Sequence, residues 1–220
     1  MLTGLLDLVL PPRCAGCGAA GTCCATCLAE FTAPHRVRVP GRPVYALAEY
    51  QGAPRELVLA FKERGRHDLA GRLGGLLGAA LAAVPEARAD AAGTWWLVPA
   101  PSRRAASRRR GGEHVVRLAR AAAGVRAAQG VPVAVAPALA LAAGARDSVG
   151  LTAAARRANL EGRVRPRPEG LPPPGTPVVL LDDVVTTGAT AAECTRVLAR
   201  AGVRVTAVLA LTNAASQRWW

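Results

Sequence analysis

The stretch that most constrains this chain covers residues 178–190 and reads VVLLDDVVTTGAT. An aliphatic run ends at two adjacent carboxylates, Asp182 and Asp183, and a small hydroxyl-rich loop and a helical pattern follow. In open parallel sheets, ligands bind at the carboxyl ends of strands. The N-terminus of a helix favours phosphate through its free N–H groups and its macrodipole. The stretch therefore predicts a strand that ends in carboxylates for hydroxyls or a metal, beside an anion cradle.

A ligand that needs both features is a ribose 5-phosphate. The stretch resembles the motif with which type I phosphoribosyltransferases bind phosphoribosyl pyrophosphate (PRPP). The resemblance implies that Asp182 and Asp183 hold the ribose 2′- and 3′-hydroxyls and that the loop wraps the 5-phosphate. It assigns the following residues to PRPP: Val184, Val185, Thr186, Thr187, Gly188, Ala189 and Thr190. The alternative is a buried strand whose aspartates only cap the next helix.

The second strong signal is a pair of Cys-x-x-Cys motifs. The first contains Cys14 and Cys17, the second contains Cys24 and Cys27, and six residues separate them. Such spacing can bring four thiolates to one tetrahedral zinc ion, and four protein ligands make that zinc structural. The neighbouring Cys23 could replace Cys24 as a ligand, and disulfides or free thiols remain the alternative.

Composition limits the class of protein. The chain has 220 residues, of which 51% are hydrophobic, so it can form one core with a small appendage. Its net charge is +13, but all of its 28 basic residues except Lys62 are arginine, so compositional bias weakens the charge as evidence for anionic partners. The apolar residues 1–10 lack a basic start and predict a short amphipathic helix, and prolines interrupt residues 130–145, so we expect no membrane span. Cysteine spacing of the metal type points to the cytoplasm.

Strand and helix patterns alternate along the chain, which predicts an α/β fold with a parallel sheet flanked by helices. Strands are predicted at residues 44–50, 94–98 and 133–136 before the final strand-helix-strand unit. Helical spacing covers residues 55–81, with a break near residues 64–66, and residues 113–128. The arginine-rich residues 146–165 predict a mobile loop. We divide the chain into an N-terminal helix and zinc module, residues 1–40, and a phosphoribosyltransferase-like domain, residues 41–220.

Together these features resemble the ComF family, in which a four-cysteine zinc module precedes a type I phosphoribosyltransferase fold and which is associated with DNA uptake in competent bacteria. Lys62 resembles the lysine of its Lys-x-x-Gly segment, and Arg110 the arginine that opens its Arg-Gly-Phe-Asn-Gln element. Where that element has Phe-Asn-Gln, this chain has Gly112, Glu113 and His114. The other matching residues are Pro99, Ala100 and Pro101 of the pyrophosphate loop, and Leu151, Arg156, Asn159 and Gly162 of the flexible loop.

The resemblance implies a mechanism in which Mg²⁺ binds oxygens of PRPP. Catalysis then comes from positioning of the reactants and stabilisation of charge. Lys62, Arg103 or Arg110 would offset charge on the leaving pyrophosphate, and the loop that contains Arg156 and Asn159 would close over the site. Lys62 and the arginines could instead be solvated surface charges. His114 is predicted to lie on a helix surface rather than to act as a base.

Three functions are compatible with the sequence. The first is an enzyme that transfers a phosphoribosyl group to an unidentified base or amine. The second is a protein that binds single-stranded DNA and assists uptake, with a competence helicase or other uptake proteins as partners. The third is a PRPP sensor that has lost catalysis.

Overall fold

Strands and helices alternate along the chain, as the sequence pattern predicts. The structure is a computed structural model that describes residues 13–102, 113–142 and 162–214. The strands are β1 (His35–Val37), β2 (Val44–Glu49), β3 (Trp95–Pro99), β4 (Val133–Val135), β5 (Leu139–Leu141), β6 (Val164–Pro166), β7 (Pro177–Val185) and β8 (Arg204–Asn213). The α-helices are α1 (Ala25–Ala29), α2 (Gly52–Glu63), α3 (Ala70–Ala80), α4 (His114–Ala127) and α5 (Ala189–Arg200).

Six strands form the main sheet in the order β1-β2-β8-β7-β3-β4. The β1–β2 pair is antiparallel and the other four neighbouring pairs are parallel. The central strand β7 begins with a run of five buried residues, because both faces of a parallel sheet are covered. The predicted α/β fold with a mostly parallel sheet is therefore confirmed.

The direction of the connections reverses between β3 and β7. From β3 the chain continues through α4 to β4 on one side, and from β7 it continues through α5 to β8 on the other side. The carboxyl ends of β3 and β7 thus border a crevice at a topological switch point. This is the position at which open α/β sheets bind ligands.

Two hydrophobic cores cover the two faces of the sheet. On one face, α2, α3 and α4 pack against β7 residues Val179 and Leu181. On the other face, α5 and the β5–β6 hairpin pack against Val178 and Leu180. The alternation follows from strand geometry, because successive side chains point to opposite faces.

The break predicted between the first two long helices is confirmed. Helix α2 ends at Glu63, a short 3₁₀ turn covers His67–Leu69, and α3 begins at Ala70. Gly65 lies in the break with a φ of +71°, a conformation that favours glycine. Strands β2, β3 and β4 and helix α4 also lie where the sequence predicts them, with ends shifted by one or two residues.

The predicted loop over residues 146–165 is wrong at its end. Val164 is buried and pairs with Leu141 in the antiparallel hairpin of β5 and β6. The pairing joins residues distant in sequence, and only three residues of each strand take part, so neither segment shows a strand pattern by itself. Residues 146–161 of this loop lie outside the described part of the chain.

Candidate functional site

The crevice at the switch point brings together two of the predicted ligand segments. Pro99 pairs with Leu181 across β3 and β7, and the Ala100 N–H donates a 2.8 Å hydrogen bond to the Leu181 carbonyl. The predicted pyrophosphate loop of Pro99, Ala100 and Pro101 therefore lies directly beside the strand end that carries the acidic pair. The next residue, Ser102, has a buried hydroxyl that finds no hydrogen-bond partner among the described residues.

The two aspartates have different surroundings. Asp182 is half-buried, and its Oδ1 accepts a 2.9 Å hydrogen bond from the Asp183 N–H. Asp183 is only 3% exposed, and its Oδ1 accepts a 2.8 Å hydrogen bond from the Val184 N–H. The difference in exposure leaves Asp182 as the carboxylate that is open to the crevice.

The other oxygen of Asp183 receives two side-chain donors. The Lys62 ammonium, near the end of α2, lies 2.8 Å from Asp183 Oδ2. The His114 imidazole, at the first residue of α4, places Nε2 2.9 Å from the same oxygen. The three residues connect α2, α4 and β7 in one buried cluster.

The prediction of His114 as a surface residue is wrong. His114 is 4% exposed, and its ring lies edge-on to Phe61 with the ring centroids 6.2 Å apart. The signal was present in the sequence: His114, Leu118 and Ala122 recur every four residues and occupy the buried face of α4. The physical reason is that Asp183 supplies the polar partner that a buried imidazole needs.

Burial, neighbouring charges and hydrogen bonds together set the pKa values of the residues in this cluster. Burial alone would raise the pKa of Asp183, but the nearby Lys62 charge and the hydrogen bonds from Lys62 and His114 hold that pKa well below its usual range. Burial opposes the charge of Lys62, yet the Asp183 carboxylate raises the pKa of Lys62. Burial and the negative charge of Asp183 raise the pKa of Asp182.

The loop after the acidic pair forms the N-terminus of α5. Gly188 is the residue before the helix and has a φ of +73°, and the Ala189 N–H donates to the Thr187 hydroxyl at 3.4 Å. Thr187 is exposed, Thr186 and Thr190 are half-buried, and Val185 is buried in the core. A helix of twelve residues leaves backbone N–H groups free in its first turn, which suits an anion.

One contact closes the side of this loop. The turn between β1 and β2 packs against it, so that a Cβ atom on Gly188 would overlap Cγ1 of Val39. Glycine at position 188 is therefore required both by its φ and by the close approach of Val39.

The four predicted cysteines form a second site. The Sγ atoms of Cys14, Cys17, Cys24 and Cys27 all lie within 4.8 Å of one another. The Cys14–Cys24 and Cys17–Cys24 sulfur distances are 3.7 Å and 3.6 Å. A tetrahedral zinc with Zn–S bonds of about 2.3 Å requires sulfur atoms about 3.8 Å apart, so this cluster fits a zinc ion.

The backbone around Cys14 favours the thiolate form of this ligand. Burial raises the pKa of Cys14, but N–H groups, with that of Cys24 the strongest, lower it to about 6. The Cys24 N–H itself lies 3.3 Å from Cys14 Sγ. Cys23 is not one of the four converging sulfurs, and burial followed by repulsion from neighbouring thiolates raises its pKa to about 11. The structure thus brings Cys24, and not Cys23, into the cluster.

The cysteine cluster is attached to the main domain through α2. A Cβ atom on Gly16 would lie 2.8 Å from Cys27 Sγ and 3.1 Å from Cβ of Ala53, which shows how closely the module packs on the first turn of α2. Arg66, just beyond α2, donates to the carbonyls of Arg13 and Thr22 at 3.2 Å and 3.1 Å. Asp68 holds the Arg66 guanidinium with hydrogen bonds of 2.9 Å and 2.8 Å.

Four predicted site residues fall outside the described part of the chain: Arg103, Arg110, Arg156 and Asn159. Among the residues that the structure describes, no helix has both the length and the apolar character needed to cross a membrane. Cys194 lies on α5 and is fully buried in the core, as expected of a small apolar side chain.

Among the solved structures to which this chain is similar are two phosphoribosyltransferases. Orotate phosphoribosyltransferase from Aeropyrum pernix is 18% identical, with 86% of this chain and 80% of that chain covered and a TM-score of 0.35. Adenine phosphoribosyltransferase from Saccharomyces cerevisiae, solved with adenine and an imino-altritol bisphosphate, is 16% identical, with 86% and 90% covered and a TM-score of 0.32. The sequence matches no protein-family profile, and no curated protein is significantly similar to it.

Proposed function

We propose that the crevice between β3 and β7 binds PRPP and that the protein is a phosphoribosyltransferase-like protein. The observation that carries the proposal is the meeting of three features at the switch point of a parallel sheet. These are a half-buried carboxylate on Asp182, a small hydroxyl-rich loop at the N-terminus of α5, and the Pro99 loop beside them. A phosphorylated sugar needs an acceptor for its hydroxyls and N–H donors for its phosphate, and this combination supplies both.

In the proposed reaction, a nitrogen of a base or amine attacks C1′ of the ribose as the bond from C1′ to pyrophosphate breaks. Asp182 orients the ribose through its hydroxyls, and the loop around Gly188 holds the 5-phosphate. Lys62 is 30% exposed and supplies a positive charge beside the crevice. Catalysis then comes from orientation and electrostatic stabilisation, without a nucleophile from the protein. Asp182 and the PRPP oxygens have the oxygen donors that Mg²⁺ prefers, and the ion would neutralise charge on the pyrophosphate.

The finer part of the proposal is that the protein is of the ComF type, cytoplasmic and linked to DNA uptake, with a structural zinc in its N-terminal module. The cysteine cluster supports the structural zinc, and the segments around Lys62 and Pro99 support the assignment to the ComF type. The acceptor is a base or amine, and a PRPP sensor without turnover is the alternative.

Calorimetry of PRPP binding to the zinc-loaded protein tests the proposal. We expect Mg²⁺-dependent binding in the micromolar range, with affinity reduced at least about tenfold in Asp182→Asn, because a hydrogen bond to a charged group is lost. Asp90→Asn is the matched control, since this carboxylate bonds Trp96 near the amino end of β3, away from the crevice. Absence of PRPP binding, with and without Mg²⁺, would refute the proposed function.

Pyrophosphate release distinguishes the enzyme from the sensor. PRPP would be incubated with the protein and each of a panel of nitrogenous bases and amines, with Asp182→Asn as the inactive reference. Release that depends on one acceptor and disappears in the variant supports transfer. PRPP binding without release for any acceptor supports the sensor.

A net charge of +13 favours one further function, the binding of single-stranded DNA. Contacts of arginine with phosphates release counterions, so affinity should fall steeply as salt rises. Fluorescence anisotropy with a labelled oligonucleotide at several salt concentrations measures this slope. A weak interaction that is independent of salt would exclude this function.

A further inference from the structure

The two acids of the pair leave β7 on opposite faces of the sheet, and their carboxyl groups approach each other at the end of the strand. Along β7, Val179 and Leu181 belong to the core beneath α2 and α4, and Asp183 continues their alternation to reach Lys62 and His114. Val178 and Leu180 belong to the core beneath α5, and Asp182 continues theirs. Adjacent residues of a strand cannot both face one side without breaking this alternation.

Asp183 has little capacity left for a ligand. Its Oδ2 serves both Lys62 Nζ and His114 Nε2, and its Oδ1 serves the Val184 N–H. Its side chain is also 4% exposed, so these contacts leave little of the carboxylate surface for a ribose hydroxyl. Asp183 is placed as the counter-ion of Lys62.

The surroundings of His114 select one tautomer. Nε2 lies at hydrogen-bond distance from Asp183, while Nδ1 is buried without a hydrogen-bond partner among the described residues. A proton on Nδ1 would leave a buried N–H donor without an acceptor, which is costly. The neutral ring with its proton on Nε2 avoids that cost and donates to Asp183.

We propose that His114 is a positioning residue: together with Lys62 it fixes Asp183, and Asp183 in turn holds the Lys62 ammonium at the crevice, while Asp182 is the more open carboxylate for the ribose hydroxyls. The ligand part of this inference rests on the proposed function, whereas the contacts among His114, Asp183 and Lys62 do not.

The single lysine makes the arrangement directly measurable. Reductive methylation with ¹³C-formaldehyde labels Lys62 and the N-terminal amine alone, and NMR titration then gives the pKa of Lys62 without any ligand. In the wild-type protein we expect a pKa above that of an ordinary lysine. In His114→Leu, Asp183 loses a donor and its fixed orientation, so the Lys62 pKa should fall toward the ordinary value, while His114→Gln should retain the wild-type value. An unchanged Lys62 pKa in folded His114→Leu would overturn the proposal.

PRPP affinity supplies the second readout. His114→Leu and Asp183→Asn should each weaken binding by about tenfold, and the double variant should lose no more than either single variant, because both act through Lys62. Asp182→Asn should weaken PRPP binding and leave the hydrogen bond between Asp183 and Lys62 intact. If the losses of PRPP affinity add up in the double variant, His114 and Asp183 do not both act through Lys62. If the wild-type protein binds no PRPP, the proposed function fails, but the Lys62 titration still decides the role of His114.

A measurement on the unmodified protein covers the case in which His114→Leu does not fold. The chain has three histidines, so ¹⁵N NMR of the imidazole rings can assign the tautomer of His114. A proton on Nε2 is expected. A neutral ring with its proton on Nδ1 would overturn the proposal, because Nε2 could not then donate to Asp183.

Discussion

At the scale of single residues, the site depends on one carboxylate that is committed to the protein and one that is not. Asp183 forms an ion pair with Lys62 inside the structure, whereas Asp182 keeps access to the crevice. A buried carboxylate that has lost its partners would be costly, so the pair of donors is as necessary for the fold as for the site. Sequence alone shows two equivalent acids, and only the packing of α2 and α4 distinguishes them.

Asp183→Asn should lower the free energy of unfolding at neutral pH by about 2–4 kcal/mol, which is less than for a wholly buried pair because Lys62 keeps contact with solvent. The pKa of Asp183 is depressed in the folded protein, so its stabilising contribution is present above the unfolded value near 4 and is lost as the pH falls below it. Urea unfolding of the wild type and the variant at a series of pH values from about 2 to about 7 measures how their difference in unfolding free energy changes with pH. A difference between them that does not shrink in acid would contradict the ion pair.

Gly188→Ala should destabilise the protein by about 2–4 kcal/mol, because alanine disfavours a positive φ and its Cβ would overlap Val39. In a Val39→Ala background the overlap disappears, and the same substitution should cost only about 1 kcal/mol. Thermal or urea unfolding of the four proteins gives the coupling energy. Equal costs in the two backgrounds would show that Val39 does not press on the loop.

At the scale of elements, two glycines allow α3 and α4 to approach closely. A Cβ on Gly78 would lie 2.6 Å from the Ala122 carbonyl oxygen, and one on Gly74 would lie 2.6 Å from the Leu118 carbonyl oxygen. Backbone atoms cannot move aside as a side-chain end can, so these positions exclude any larger residue.

Gly78→Ala should therefore lower the free energy of unfolding by about 1–3 kcal/mol through overpacking. Gly124→Ala, on the other helix of the pair, is the matched control, since a Cβ there meets nothing within 4 Å. It should raise stability by up to about 1 kcal/mol, because alanine favours helix more than glycine does. The prediction fails if both substitutions change unfolding in the same direction.

Substitution of single cysteines tests the metal cluster. Cys24→Ser removes one of the four converging sulfurs and should reduce bound zinc, measured by atomic absorption after dialysis, well below one equivalent per chain. Cys23→Ser changes the adjacent thiol, which lies outside the cluster, and should keep the metal content of the wild type. Retention of full metal by Cys24→Ser with loss by Cys23→Ser would reverse the assignment.

How far the sequence predicts these elements depends on the range of the interactions that define them. The strand, loop and helix around Gly188 and the two Cys-x-x-Cys motifs are local patterns, and their positions were predictable. The choice of Cys24 over Cys23, the contact of His114 with Asp183 and the β5–β6 hairpin depend on residues that are distant in sequence. For the same reason the sequence did not reveal that Asp183 is occupied by Lys62.

At the scale of the whole molecule, α2 connects the two sites. Its first turn packs against the cysteine module through Ala53, its last turn carries Lys62, and Arg66 beyond it binds carbonyls of the module. Cys14, Cys27 and Phe31 belong to the same core as α2 and α3. The module is thus part of the packing that supports the crevice on this face of the sheet.

Removal of the metal by a chelator should therefore loosen α2 as well as residues 13–31, because a structural zinc contributes directly to folding energy. Hydrogen exchange with and without chelator measures the effect on each segment. Helix α5, on the opposite face of the sheet, serves as the internal control and should exchange at an unchanged rate. Loosening confined to residues 13–31 would show that the module and α2 are energetically independent.

The short edge strands of the described sheet have a consequence for aggregation. Its longest strands, β7 and β8 with nine and ten residues, are central, whereas the edge strands β1 and β4 have three residues each. An edge of three residues offers a foreign strand few free backbone groups, and short edges are a known protection against aggregation. The strand order therefore places the long apolar strands, which could pair most readily with another chain, in the interior of the sheet.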